Sequence, residues 1–248
     1  MATLAAQGTF RLAHLAANAW GRVRRRLRVG RTVRVLRLRA WWHRATLDLE
    51  VAPDLRLGRR VRIEIRPKTA NLVRIGPGCR IADDVLIDLR GGRLLLGPGV
   101  DIRRGVSLGV GGALTLEGPN LVQQGVSLHC DEAVTLGPRV GLGEYVTLID
   151  SSHHFEEPDR WFVESLRTAP VVLGESAWVG AKATVTKGVT LGARSIVGAN
   201  STVVKDVPAG VLVSGVPAQP VRGAAGEVRP RPRFRFGTIP PVVVPIGR

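Results

Sequence analysis

The sequence predicts an all-β chain wound as a parallel β-helix of hexapeptide repeats, and three observations carry that prediction. Aliphatic residues recur every six positions: Ile75, Ile81 and Ile87, then Leu96, Ile102 and Leu108, then Leu116, Val122 and Leu128, then Leu136, Leu142 and Leu148. After a break the series resumes as Leu173, Val179, Val185, Leu191, Val197 and Val203. The residue four positions after the aliphatic is small or β-branched, as at Cys79, Val85, Val100, Val126, Ala177, Ala183, Ser195 and Ser201. Glycine often follows the aliphatic directly, as at Gly76, Gly97, Gly137, Gly143, Gly180 and Gly198.

An amphipathic helix would space its apolar residues by three and four, and a half-buried strand would alternate them. A fixed period of six belongs instead to a solenoid in which each repeat supplies one short strand and one corner. The aliphatic side chain points into a triangular prism and stacks on its equivalent three repeats later, about 4.7–4.9 Å away. The corner position has to be compact, and glycine beside the aliphatic relieves crowding at the turn. Aromatic residues make up only 4% of the chain, so the core must be built of Val, Leu, Ile and Ala, whose branched members suit stacked strands.

The first element is a basic segment, residues 1–47, read as helical, with 11 arginines and no acid. The run RVRRRLRVGRTVRVLRLRAWWHR interleaves Arg with Val and Leu and ends in Trp41 and Trp42. That composition suits peripheral contact with an anionic membrane surface. It also suits an organellar transit peptide, and an arginine bias of the whole chain would produce it without selection, since only Lys68, Lys182, Lys187 and Lys205 are lysines. Gly30 is expected to interrupt the helix, and the arginines do not segregate to one face, so packing against the solenoid or a neighbouring subunit is a further reading. The repeat domain follows over residues 48–221, with an excursion loop at 149–171. The last element, residues 222–248, is a Pro/Arg-rich tail in which Pro230, Pro232, Pro240, Pro241 and Pro245 favour extended or disordered chain.

A formal charge of +16 would ordinarily suggest nucleic acid. The excess lies in the two ends, however, leaving 19 bases and 19 acids between them, so no nucleic-acid partner is expected. No apolar run approaches the ~20 residues needed to cross a bilayer. Cys79 and Cys130 fall on or beside repeat positions, and so few cysteines suit a reducing, cytoplasmic setting, at most peripheral to the inner face of a membrane. The five histidines show no zinc-ligand spacing, and no metal is expected.

The break, IDSSHHFEEPDRWFVESLRTAP, spans residues 149–170. From Leu148 to Leu173 is 25 positions, one more than four hexapeptides, so the chain must leave the coil. A polar loop on a rigid scaffold is where sites usually form.

The pattern resembles the hexapeptide-repeat acyltransferases over roughly residues 57 to 221. The likeness is closest over DSSHHF, RTAPVVLGESAWVGAKATVTKGVTLGARSIVGANSTVVKDVPAG and SGVPAQPVR, which look like the sugar and xenobiotic O-acetyltransferase branch. The resemblance implies a left-handed coil, acetyl-CoA as acyl donor, a homotrimer, and a hydroxyl acceptor on a sugar or envelope glycan precursor.

Transfer of an acyl group to a hydroxyl needs a base, and histidine titrates near neutral pH. The family's D-x-x-H run falls on Asp150, Ser151, Ser152 and His153, which implies His153 as catalytic base, with adjacent His154 as the alternative. Asp150, Glu156 and Glu157 are candidates to orient the imidazole or bind the acceptor, although a solvated loop charge is the ordinary reading for each. Arg167 is a candidate loop anchor or acceptor contact. Trp178 takes an outward position where neighbouring repeats carry Thr184, Thr190, Ile196 and Thr202, and an outward Trp needs a cover: the loop, a subunit or the cofactor.

The resemblance implies cofactor or acceptor contact for Trp178; for the CoA it also implies, the small residues Ala181, Gly198 and Ala199 leave room beside the coils for a thin pantetheine arm, and Lys205, with Lys187, Arg194 and Arg222, is available for the phosphates. Two other readings stay open: a noncatalytic trimeric scaffold with membrane-binding basic arms, and a metalloenzyme resembling the γ-class carbonic anhydrases, which need histidines from adjacent subunits around zinc.

Overall fold

The computed structural model describes residues 29–153 and 166–221. The expectations for residues 1–28, for His154, Glu156 and Glu157, and for Arg222 and the tail lie outside the described residues. Within them the chain is a parallel β-solenoid of about seven coils with three faces. Face 1 holds seven strands, from Thr46–Val51 to Thr190–Leu191; face 2 holds nine, from Arg56–Leu57 to Ala218–Pro220; face 3 holds seven, from Arg62–Ile65 to Thr202–Val203. Up to Thr202–Val203 the chain visits faces 1, 2 and 3 in turn, so strand neighbours are one coil apart: Ile81 pairs with Ile102, and Val122 with Leu142. The last two strands of face 2, Leu212–Gly215 and Ala218–Pro220, form an antiparallel pair. The arrangement is consistent with the left-handed parallel β-helix.

The six-residue series forms the core. Ile81, Ile102, Val122, Leu142, Val179 and Val197 stack up face 2 with at most 1% of their surface exposed, and the corner residues Cys79, Val100, Ala183 and Ser195 are equally buried. The corner between faces 2 and 3 turns through left-handed backbone: Asp84, Tyr145, Lys182 and Asn200 have φ between 56° and 61°. A non-glycine residue there is strained by about 1–2 kcal/mol. The turn is held by a ladder between coils, in which the Tyr145 amide donates to the Gln124 carbonyl at 3.0 Å and the Lys182 amide to the Glu144 carbonyl at 2.7 Å.

Coil length changes along the prism. Ile102 to Val122 to Leu142 advances by 20 residues per coil, whereas Val179 to Val197 advances by 18. The extra residues sit at the corner from face 3 to face 1, at Gly111–Gly112 and again at Asp131–Glu132. This corner stacks tightly: a Cβ on Gly112 would lie 2.1 Å from the Glu132 carbonyl oxygen. In the fifth coil the same corner opens into the excursion.

Residues 29–42 form a helix, α1, laid across the N-terminal end of the prism. Leu36 and Ala40 are buried, and Val29, Val33 and Leu36 face core side chains of the first coils, including Leu47, Leu57, Ile63 and Ile81. Repeat arrays need such a cap because their end coil would otherwise expose its core. Gly30 lies within the helix instead of interrupting it; packing of the apolar face, more than local propensity, stabilises a helix of this kind. Among the described residues no helix is long and apolar enough to cross a membrane.

Candidate active site

The excursion is rooted in the core. Ile149 is the last face 3 residue in register, paired with His129, and Asp150 takes the next inward slot, above Cys130 and Val110. A carboxylate in an aliphatic position must find donors or destabilise the fold. Asp150 is fully buried, and it accepts from the backbone N–H of Asp131 at 2.8 Å and of Glu132 at 2.8 Å. Its own carbonyl accepts from the Ala169 amide at 2.9 Å, which closes the base of the excursion.

Asp150 is therefore no solvated loop charge: it faces inward onto the preceding turn. The same charge acts on Cys130, whose thiol is pushed up to about 12, mainly by burial and secondarily by Asp150.

Asp131 completes the root from the outside, accepting from Ser151 Oγ at 2.7 Å and meeting the Arg90 guanidinium at 3.0 Å. Arg90 and Asp131 escaped the sequence reading, and Ser151 entered it only as a member of the D-x-x-H run. The signal for the first two was the spacing of nine from Ile87 to Leu96 and of eight from Leu128 to Leu136, in place of six.

Above this root the chain forms a short antiparallel pair, Ser151–His153 with Leu166–Thr168, in which Ser152 faces Arg167 and His153 faces Leu166. Exposure rises along the first arm, from buried Ser151 through Ser152 to exposed His153. Arg167 is also exposed. One coil earlier, exposed His129 on face 3 has Nε2 2.9 Å from Ser127 Oγ.

Trp178 stands outward on face 2 and is 38% exposed. Its ring lies over Gly141, its strand partner: a Cβ on Gly141 would be 2.6 Å from Trp178 Cε3. Leu121, Gly141, Trp178, Ile196 and Leu212 make one outward line, where the earlier coils carry Arg56, Arg80 and Asp101. At the adjoining corner Ala181 is half-buried and Ala199 exposed. Gly198 lies beneath them, where a Cβ would meet Ser214 Oγ at 2.7 Å. Tyr145, also missed in the sequence, is exposed on this corner and lays its ring against Gly125.

The candidates thus fall into two groups. His153, Arg167 and exposed Lys205 belong to the corner between faces 3 and 1; Trp178, Ala181, Gly198 and Ala199 belong to face 2 and its corner with face 3. Face 3 separates them. Among the described residues no group of three His, Cys, Asp or Glu side chains is arranged to hold a metal ion.

The family model of the bacterial transferase hexapeptide (six repeats) matches residues 170–205. No curated protein matches the chain in sequence. Among solved structures, the polysialic acid O-acetyltransferase OatWY is similar at 16% identity and a TM-score of 0.50, over 71% of this chain and 87% of that one. A hexapeptide-repeat containing acetyltransferase of Vibrio cholerae O1 biovar eltor, complexed with acetyl coenzyme A, is 24% identical with a TM-score of 0.35, over 67% of this chain and 69% of that one. Galactoside acetyltransferase in complex with coenzyme A is 21% identical with a TM-score of 0.36, over 72% and 63%. The likeness to OatWY is one of fold.

Proposed function

We propose that this chain is an acyl-CoA-dependent O-acyltransferase that moves an acetyl group to a hydroxyl of a sugar or envelope glycan precursor, with His153 as general base. The observation that carries the reading is the projecting pair Ser151–His153 and Leu166–Thr168, which lifts the histidine of the D-x-x-H run off a rigid solenoid at a corner rooted by Asp150. The transferase-type repeats that begin directly after it support the same reading.

The donor thioester supplies an activated acyl carbon. Trp178, Ala181, Gly198 and Ala199 would hold the pantetheine arm, and the fit is one of shape: at the corner next to the indole, Gly180 and Gly198 lie close against the next coil and Ala181 and Ala199 carry only methyl groups, so a thin chain can approach the backbone there. Lys205 would meet the phosphates, as an exposed cation can. His153 takes the proton from the acceptor hydroxyl as the new C–O bond forms and the C–S bond breaks, then returns that proton to the departing thiolate.

Because face 3 lies between the two groups, one subunit does not bring base and donor wall together. Three prisms about a threefold axis would set the corner bearing His153 of one subunit beside face 2 of the next, and would cover the apolar line through Trp178. The reading is therefore a homotrimer with three shared clefts, working in the cytoplasm, a setting that suits two free, buried thiols.

Thiol release from acetyl-CoA with a panel of sugar hydroxyl acceptors tests the proposal. His153→Ala should lower turnover about 10²–10⁴-fold while fold and CoA affinity persist, and His154→Ala should do much less. The opposite ranking would move the base to His154. Assembly without turnover or CoA affinity would leave the noncatalytic scaffold.

A further inference from the structure

The cap helix α1 has two faces with opposite character, and the core uses only one of them. Leu36 and Ala40 are buried, and Val29 and Val33 pack towards the first coils. On the other side Val35, Leu38, Trp41 and Trp42 are 43%, 64%, 72% and 77% exposed. At about 100° per residue these four share one stripe with Arg31 and Arg34, and exposed Arg37 and Arg39 flank it.

From this arrangement we propose that the outward face of α1 is a docking surface for a bilayer containing anionic phospholipid. Charge complementarity decides the occupant. The helix carries no acid, and none of these four arginines is ion-paired with an acid among the described residues. A protein partner would have to bring several carboxylates and an aromatic pocket together; a bilayer offers anionic headgroups above an apolar layer, which is where Trp settles and Arg finds its counter-charge. Two adjacent, largely exposed tryptophans on a structured helix are costly in water, and burial at the headgroup boundary removes that cost.

The cap lies across the end of the prism, so the stripe points away from the coils. Docking would then stand the repeat axis off the surface, with the corner that bears His153 about four strand spacings, ~19 Å, beyond the first coil.

Flotation of the intact chain with vesicles tests this. It should be retained by equal parts phosphatidylglycerol and phosphatidylcholine, not by phosphatidylcholine alone, and released by salt. Arg31→Gln with Arg34→Gln should weaken retention about thirty-fold, and Trp41→Ser with Trp42→Ser at least about tenfold, with unchanged circular dichroism and unchanged turnover on a soluble acceptor. Retention of either pair equal to that of the intact chain would overturn the proposal. So would loss of binding on removal of residues 1–28 when both pairs bind normally, and so would a fall in sedimentation coefficient of the tryptophan pair, which would make a second copy the occupant.

Discussion

From inside the solenoid, the carboxylate of Asp150 accepts a hydrogen bond from the backbone amide of Asp131, one coil earlier, at 2.8 Å. The Glu132 amide adds a second at 2.8 Å. The strand that carries His153 begins at the very next residue, Ser151. The direction of the excursion is thus set by a buried turn, before any exposed side chain acts.

Removing that acceptor should loosen the root. Asp150→Ala leaves two inward-facing amides without a partner, a loss of about 1–3 kcal/mol for each, and lets the arm of His153 drift. Asp150→Asn keeps a carbonyl acceptor and should lose less. Urea denaturation read beside turnover separates them: the alanine variant should fall in both, with CoA affinity kept, and equal stability of the two variants would remove Asp150 from the root.

A second prediction concerns acid. Asp84 lies between Arg60, at 2.5 and 2.8 Å, and Arg104, at 2.9 Å. The hydrogen bonds from Arg60 lead in holding its carboxyl down to about 2, with Arg104 assisting. A carboxylate depressed on folding contributes its stability above the ordinary carboxylate value and loses it as pH falls through about 2. The gap in Tm between the native chain and Asp84→Asn should therefore be widest near neutrality and close below the ordinary carboxylate range. The cluster is solvent-facing, so the gap should be small and shrink in high salt. A gap that widens in acid would contradict the ladder.

The repeat was legible because every aliphatic in it must stack on its own equivalent; no other structure demands a period of six. The excursion was legible because Leu148 and Leu173 cannot both keep that register across 25 positions. Trp178 betrayed itself by taking a place otherwise held by threonine and isoleucine. What stayed hidden depends on neighbours 20 to 37 residues away in sequence. Asp150 reads as a loop charge until Cys130 is seen below it, and nothing sets Gly141 apart until Trp178 is laid over it. α1 hid its two faces for another reason: apolar residues occur on both, one facing the core and one facing out, so no single amphipathic period emerges.

Thiol chemistry offers a third check. Cys130 is fully buried with its thiol pushed up to about 12, and Cys79, also fully buried, is raised by burial as well. Only the thiolate alkylates readily, so neither should react with iodoacetamide at neutral pH until the coil opens. Labelling followed by mass should track global unfolding in urea, both sites together. Asp150→Asn removes a neighbouring charge but leaves the burial that dominates, so Cys130 should stay protected in the folded variant. Rapid labelling of Cys130 in the native chain would show that the corner from face 3 to face 1 opens locally.

The fourth prediction tests the cleft without touching a candidate catalytic group. Gly141 has room for no side chain, since even a Cβ would come within 2.6 Å of the Trp178 ring. Gly141→Val should keep the core, because Gly141 faces outward beside inward Leu142, but it must push the indole off face 2. On the trimer reading that displaces the wall of a shared cleft. Sedimentation at micromolar concentration should then show weaker assembly, and calorimetry should show CoA binding at least tenfold weaker, as a lost aromatic contact of about 1.4 kcal/mol requires. Trp178→Ala should reproduce the loss of CoA affinity, while the double variant should do little more than either alone, because both act through one ring. A Gly141→Val chain that remains trimeric and binds CoA as before would take Trp178 out of the cleft and leave it as packing on face 2.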